Sequence, residues 1–239
     1  MSTSNKLSRR NFLQASSLAV VGATLAACNA TPPSQPTSTP EAPVTNADEA
    51  LQRLLEGNRR YTTFKSAEVN ESESRRLEVA QDQKPFATIF SCVDSRVPPE
   101  LVFDRGLGDL FVIRTAGQVI DKAVLGSLEF GVAELHIPLL MVLGHEKCGA
   151  VKATIDAIES NATAEADINW LVEGIRPAAE KVKGQPGDWL DNAVKANVEL
   201  VVRQLKTSPL LSEAVEKGEL RIVGARYDLD SGVVEVTAP

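Results

Sequence analysis

The sequence predicts an α/β fold: a central, mostly parallel sheet of about four strands plus one antiparallel edge strand, with helices on both faces. Three observations carry this. Short continuous apolar runs at 86–91, 110–114, 139–143 and 220–225 read as strands buried on both sides. The stretches between them place apolar residues at helical spacing. Reactive side chains fall just past two of the runs, at Cys92 and His145, where open α/β sheets hold their ligands.

Taken in order, the chain opens with residues 1–27, which read as an export signal rather than as fold. Ser8-Arg9-Arg10-Asn11-Phe12-Leu13 is a basic start of twin-arginine type. The apolar stretch 12–27 is 16 residues, shorter than a membrane-crossing helix needs, and carries Ser16, Ser17 and Thr24. It ends Leu25-Ala26-Ala27-Cys28, which resembles a bacterial lipobox with Cys28 as the lipidated first residue of the mature chain. Residues 28–46 are rich in Pro, Ser and Thr, with Val44 the only large apolar side chain, and read as a semi-extended tether. The folded domain spans 47–239. The expected location is the periplasm or the outer face of the cytoplasmic membrane, with a lipid anchor at Cys28.

Within the domain, Ala50, Leu51, Leu54 and Leu55 mark a helix over 47–61, and a second helix is placed at 74–80. The strand at 86–91 follows Pro85, and the next strand is 110–114. Val124, Leu128, Gly131 and Leu135 share one face of a helix over 123–135. After the strand at 139–143, a helix starts directly behind Gly149, and two more cover 168–183 and 188–207. The strand at 220–225, the turn Asp230-Ser231-Gly232 and a last strand at 233–236 form an antiparallel hairpin.

The 239 residues are 43% hydrophobic and 24% charged, an ordinary globular balance that excludes collagen, coiled coil and a fully disordered chain. With 25 Lys and Arg against 32 Asp and Glu, the formal charge is −7. Loss of the signal removes Lys6, Arg9 and Arg10 and no acid, which brings it to −10. Such a chain lacks the basic surface that nucleic acid requires. Gly106-Leu107-Gly108 lacks the third glycine and following helix of a dinucleotide loop.

Three Cys and two His restrict any Cys/His site to nearly all of them. Cys92-Val93-Asp94-Ser95-Arg96 and His145-Glu146-Lys147-Cys148-Gly149 together offer two thiolates, an imidazole and a carboxylate. That donor set suits Zn2+. Cys92, His145 and Cys148 leave a fourth position for water or substrate, the pattern of a catalytic zinc. Asp94 either closes the site as fourth ligand or is held away by a bidentate pair with Arg96. In the second case it can accept a hydrogen bond from hydroxide on the zinc. A Cys92–Cys148 disulfide is the competing reading for an exported chain. His136 reads as a cap or surface residue, Arg114 as a structural ion-pair residue, and Glu146 and Lys147 as solvated. Trp170 and Trp189 read as packing or interface residues.

Cys-x-Asp-Ser-Arg followed about fifty residues later by His-x-x-Cys-Gly resembles the β-class carbonic anhydrases. The likeness extends through Gly106-Leu107-Gly108-Asp109-Leu110-Phe111, Gly126-Ser127-Leu128-Glu129-Phe130 and Gly224-Ala225-Arg226-Tyr227-Asp228-Leu229. The resemblance implies a zinc lyase that hydrates carbon dioxide reversibly to bicarbonate and a proton. It implies zinc on Cys92, His145 and Cys148, with Asp94 a conditional ligand, and Asp94 with Arg96 as the catalytic pair. Gln83, Val97, Phe111 and Phe130 are implied for the substrate pocket. Phe130 stands where relatives often carry Tyr, and Gln118 where many carry Asn. A homodimer or homotetramer is implied, its first helix extending to the partner subunit. Two alternatives are a zinc hydrolase of CS2 or COS on the same scaffold, and a catalytically weak bicarbonate-binding regulatory protein of the envelope.

Overall fold

A computed structural model describes residues 42–238 of the chain. The export signal, Cys28 and most of the tether lie outside the described residues.

Five strands form one sheet: β1 (Ala87–Ser91), β2 (Leu110–Arg114), β3 (Leu139–His145), β4 (Arg221–Tyr227) and β5 (Val234–Ala238). Their order is β2-β1-β3-β4-β5. All neighbours are parallel except β4 and β5, which pair antiparallel. This is the sheet expected from the sequence, with the antiparallel hairpin at one edge. Each crossover between parallel strands runs through helix or loop over a face, so both faces are covered and the central strands can be apolar throughout.

The two-residue period of each strand sorts its side chains between two cores. Ala87 and Ile89, Leu139, Met141 and Leu143, and Val223, Ala225 and Tyr227 face one way. They meet α1 (Ala47–Thr62) through Ala50 and Leu54, and the short α3 (Pro99–Val102) through Val102. Phe90, Leu140, Val142 and Ile222 face the other way. They meet α4 (Lys122–Ala133), α7 (Trp189–Leu205) and α8 (Pro209–Glu216). A third cluster joins α5 (Gly149–Ser160), α6 (Ile168–Lys181) and α7, and contains Cys92 and Cys148.

Helix starts follow capping chemistry. Asn46 accepts the Glu49 N–H at the start of α1, and Asp121 accepts the Val124 N–H at the start of α4. Asp188 accepts the Asp191 N–H at α7, and Ser208, followed by Pro209 at the first helical position, caps α8. Among the described residues no helix is long and apolar enough to cross a membrane.

Three elements escape the periodicity reading. The helix α3 is one turn behind Pro98-Pro99, Ala116–Gln118 forms a 3-10 turn, and α8 is only two turns long. Elements of this length carry too few apolar repeats to reveal a period. The remaining helix, α2 (Glu73–Val79), buries none of its residues and is held by its Ser72 cap.

Close helix-to-sheet packing depends on glycine at particular points. A Cβ on Gly57 of α1 would lie 1.7 Å from the Phe103 carbonyl oxygen. Gly57→Ala is expected to destabilise the protein by at least about 1–3 kcal/mol, because a backbone atom must move. The check is a urea midpoint lowered at unchanged m-value.

Candidate metal centre

The parallel pairing of β1 and β3 builds the site. Thr88 lies opposite Leu140 and Ser91 opposite Leu143, so β1 ends two residues short of the His145 end of β3. Cys92 leaves β1 at the same level as Gly144-His145 at the end of β3. Cys148 follows at the N-cap of α5, after a turn in which Lys147 takes a left-handed φ of 53°. The donor atoms of Cys92, His145 and Cys148 all lie within 4.8 Å of one another, and all three residues are buried.

Hydrogen bonding points this cluster at a metal. His145 Nδ1 lies 2.8 Å from the Glu146 carbonyl oxygen, which can only accept, so Nδ1 carries the proton. Nε2 therefore presents a lone pair, and it is buried with no partner. A buried orphan lone pair beside two thiols is the environment a tetrahedral Cys2His zinc site satisfies. Neither thiol is in a disulfide, which removes the competing reading for this structure.

The two thiols influence each other's charge in opposite directions. A hydrogen bond from Cys148 is the main influence drawing Cys92 down to about 4, against the opposing effect of burial. Contacts from His145 and the Gly117 N–H, 3.4 Å from Cys92 Sγ, add to it. Cys148 is pushed up by Cys92 and by burial. Burial opposes charge on His145, but Cys92, the Glu146 carbonyl and Asp94 outweigh it and raise the imidazole. A cation at the three donors would displace thiol protons, as metal binding to thiols does.

Asp94 stands at the edge of this cluster. Arg96 holds it bidentately, Nε to Oδ1 at 2.9 Å and Nη2 to Oδ2 at 2.8 Å, and the Arg96 N–H adds a bond to Oδ1 at 3.0 Å. These bonds hold the carboxyl down to about 2. Its Oδ2 is 3.8 Å from His145 Nε2. Of the two arrangements open from sequence, the structure has the arginine-held one.

The loop carrying Cys92 and Asp94 is braced by Arg114. Its Nε donates to the Cys92 carbonyl at 2.8 Å and its Nη2 to the Asp94 carbonyl at 2.7 Å. The sequence reading of Arg114 as an ion-pair residue is corrected here: its planar fork bridges two carbonyls. Glu146 is likewise not simply solvated, since its carboxylate accepts the Leu229 N–H at 3.2 Å.

The other expected pocket residues are dispersed. Phe111 and Phe130 stack with centroids 6.5 Å apart, and Phe130 is 48% exposed. Val97 is fully buried in the core on the α1 side, with its N–H on the Asp94 carbonyl. Gln83 is exposed on the loop between α2 and β1. Gln118 is buried and donates to the Leu143 carbonyl at 2.8 Å. His136 is exposed with φ 53°, ending α4, as a surface residue would. Trp189 packs and donates to the Ala179 carbonyl, whereas Trp170 is 63% exposed.

Sequence reasoning missed Gly117 and Asn197. Gly117 adopts φ 63° and aims its N–H at Cys92, while Asn197 Nδ2 donates to the Gly117 carbonyl at 2.7 Å. Thr115-Ala116-Gly117-Gln118 carries the one local signal, a glycine between strand and helix. Asn197 lies inside an apolar helix face, and nothing local marks it.

A family model described as carbonic anhydrase matches residues 87–234. The chain belongs to the β-class carbonic anhydrase family. It is 41% identical over 191 residues to carbonic anhydrase 2 of Mycobacterium tuberculosis, covering 80% of this chain and 92% of that one. It is 38% identical over 195 residues to the carbonic anhydrase of Mycolicibacterium smegmatis, covering 81% and 95%. Among solved structures, the Coccomyxa β-carbonic anhydrase in complex with acetazolamide superposes with a TM-score of 0.61 at 30% identity, over 78% of this chain and 85% of that chain. The resident metal of this carbonic anhydrase family is zinc, and Cys92, His145 and Cys148 would hold it.

His145→Ala and Cys148→Ala are each expected to lower the zinc content of purified protein from about one per chain to near zero. Metal analysis after dialysis checks this, and circular dichroism confirms that the variants are folded.

Proposed function

We propose that this protein catalyses the reversible hydration of carbon dioxide to bicarbonate and a proton. The observation that carries this is the bidentate Asp94–Arg96 pair, with Asp94 Oδ2 3.8 Å from the unpartnered Nε2 of His145. When bound, zinc supplies the Lewis acidity that makes water a nucleophile near neutral pH.

The residues of the chain do the rest. Asp94 would accept a hydrogen bond from the O–H of the attacking oxygen, without taking its proton, and so aim that oxygen's free lone pair at the substrate carbon. Arg96 keeps that carboxylate ionised and fixed in direction; to become a metal ligand, Asp94 would have to give up its guanidinium bonds. The stacked rings of Phe111 and Phe130 offer an apolar wall to an uncharged linear substrate, while Gln83 and Val97 stand apart from that wall within one chain. The released proton passes to buffer. With Phe in place of Tyr at 130, the wall donates no hydrogen bond, so it acts by shape and by excluding water.

The assembly we propose is a homodimer or homotetramer. Phe130 leaves apolar surface half-open on the pocket wall, and β2 ends the sheet with an outer edge that pairs with no strand among the described residues. A second copy covering that region, with its first helix reaching across, would complete the pocket. We further propose that residues 1–27 direct export, that Cys28 carries lipid, and that residues 28–46 tether a domain of 47–239 in the cell envelope. The basic, apolar and Leu-Ala-Ala-Cys segments in the required order support this.

Two measurements test these readings. In a stopped-flow pH-indicator assay, zinc-loaded protein is expected to hydrate carbon dioxide, and Arg96→Ala to lose about 10²-fold or more in kcat with zinc content unchanged. Retained turnover in Arg96→Ala sinks the mechanism. Radiolabelled palmitate is expected to enter the wild-type protein and not Cys28→Ala; equal processing of both sinks the anchor.

A further inference from the structure

The His145-to-Cys148 turn is tied down by two charged side chains that the proposed chemistry does not use. The peptide between Glu146 and Lys147 carries the carbonyl that accepts His145 Nδ1–H at 2.8 Å. That peptide is followed by Lys147 in a left-handed conformation, φ 53°, which a non-glycine residue holds only when its surroundings enforce it. Both flanking residues are fastened to the same place, the turn joining β4 to β5. Glu146 Oε2 accepts the Leu229 N–H at 3.2 Å, and the Glu146 N–H donates to the Tyr227 carbonyl at 2.9 Å. Lys147 Nζ lies 3.1 Å from Asp230 Oδ2 and 3.3 Å from Glu146 Oε1.

From this geometry we infer that Glu146 and Lys147 are positioning residues that lock the 146–147 peptide against the 228–232 turn, and so set how tightly the centre retains its metal. The reasoning is geometric. Rotation of that peptide would swing its carbonyl away from Nδ1, free the imidazole to turn, and move Nε2 off the two sulfurs. Glu146 prevents this from one side of the peptide and Lys147 from the other. The turn they grip is itself firm: Asn58 of α1 donates to the Gly232 carbonyl at 2.8 Å and accepts the Val234 N–H at 2.9 Å. Partners that orient a ligating histidine are typically worth 10–100-fold in metal affinity. Of the two, Glu146 matters more, because its bond to Leu229 is half-buried, whereas Lys147 and Asp230 pair in solvent.

This inference rests on the metal-centre reading, and the experiment separates the two. Zinc release from full-length, zinc-loaded protein to a chromogenic chelator is followed for the parent, Glu146→Ala, Glu146→Gln and Lys147→Ala. Glu146→Ala is expected to release zinc about 10-fold faster or more. Glu146→Gln, which can still accept the Leu229 N–H, should recover most of that loss, and Lys147→Ala should fall between. Cobalt-substituted protein gives a readout independent of turnover: Glu146→Ala should shift and broaden the visible d–d bands, and Glu146→Gln should restore them. Release rates within twofold of the parent in folded Glu146→Ala, with unchanged cobalt bands, overturn the positioning role. So does a Glu146→Gln variant as impaired as Glu146→Ala. A parent that binds no zinc overturns the metal-centre reading instead. Should Glu146→Ala fail to fold, the surface variant Lys147→Ala decides alone: faster release supports the lock, and parent-like release overturns it.

Discussion

The parallel pairing of β1 with β3 is the constraint on which the site depends. Neither Cys92 nor His145 could find the other through local structure, since they lie on separate strands joined by a long crossover. The ladder from Thr88–Leu140 to Ser91–Leu143 sets Cys92, the residue after β1, beside the last two residues of β3. A slip of one residue would turn every side chain of β1 to the opposite face. Ile89 would then leave the core beside α1, and Phe90 the core beside α7. Burial on both faces therefore fixes the register, and the register fixes the distance between metal donors.

Packing beneath the sheet transmits the same order to the groups that bond the ligand residues. Gly144 and Gly224 let α7 approach closely: a Cβ on Gly144 would meet Val198 Cγ2 at 2.5 Å, and one on Gly224 would meet Val198 Cγ1 at 2.6 Å. At that separation Asn197, the neighbour of Val198, reaches the Gly117 carbonyl, and Gly117 turns its N–H toward Cys92. Two glycines in strands thus serve a hydrogen bond on a ligand sulfur. Arginine appears twice where a planar fork is required, Arg96 on the two oxygens of Asp94 and Arg114 on the Cys92 and Asp94 carbonyls of one loop. Lysine, with a single ammonium group, could not hold either geometry.

Much of this was legible in the sequence because strong local signals and chemistry coincide. Four strands follow from uninterrupted apolar runs, the fifth and its antiparallel hairpin from the turn at Asp230-Ser231-Gly232, and the long helices from helical spacing. Cys92, His145 and Cys148 follow from the scarcity of Cys and His together with a donor spacing that suits zinc. What was not legible depends on backbone partners distant in sequence. Arg114 looks like any strand-end arginine until the loop at 92–94 folds over it. Asn197 reads as a polar interruption of α7 until Gly117 lies against it. Glu146 and Lys147 look solvated because the turn that holds them is more than eighty residues away. The short elements α3 and α8 were lost for a different reason, since one or two turns contain no period to detect.

The hydrogen bonds of Asn58 join these parts. Its amide nitrogen donates to both the Val102 and Gly232 carbonyls, and its oxygen accepts the Val234 N–H. One buried side chain on α1 therefore holds α3 and the β4–β5 hairpin, and that hairpin grips the ligand turn through Leu229 and Asp230. The same hairpin meets α1 again where the hydroxyls of Tyr61 and Tyr227 lie 3.1 Å apart. The turn that carries His145 and Cys148 is consequently braced by contacts that reach both the first helix and the last strand. A metal held by the assembled donors binds the folded state in preference to the unfolded one, and its binding free energy adds to the stability of the whole domain. Metal retention and folding are in this way linked equilibria.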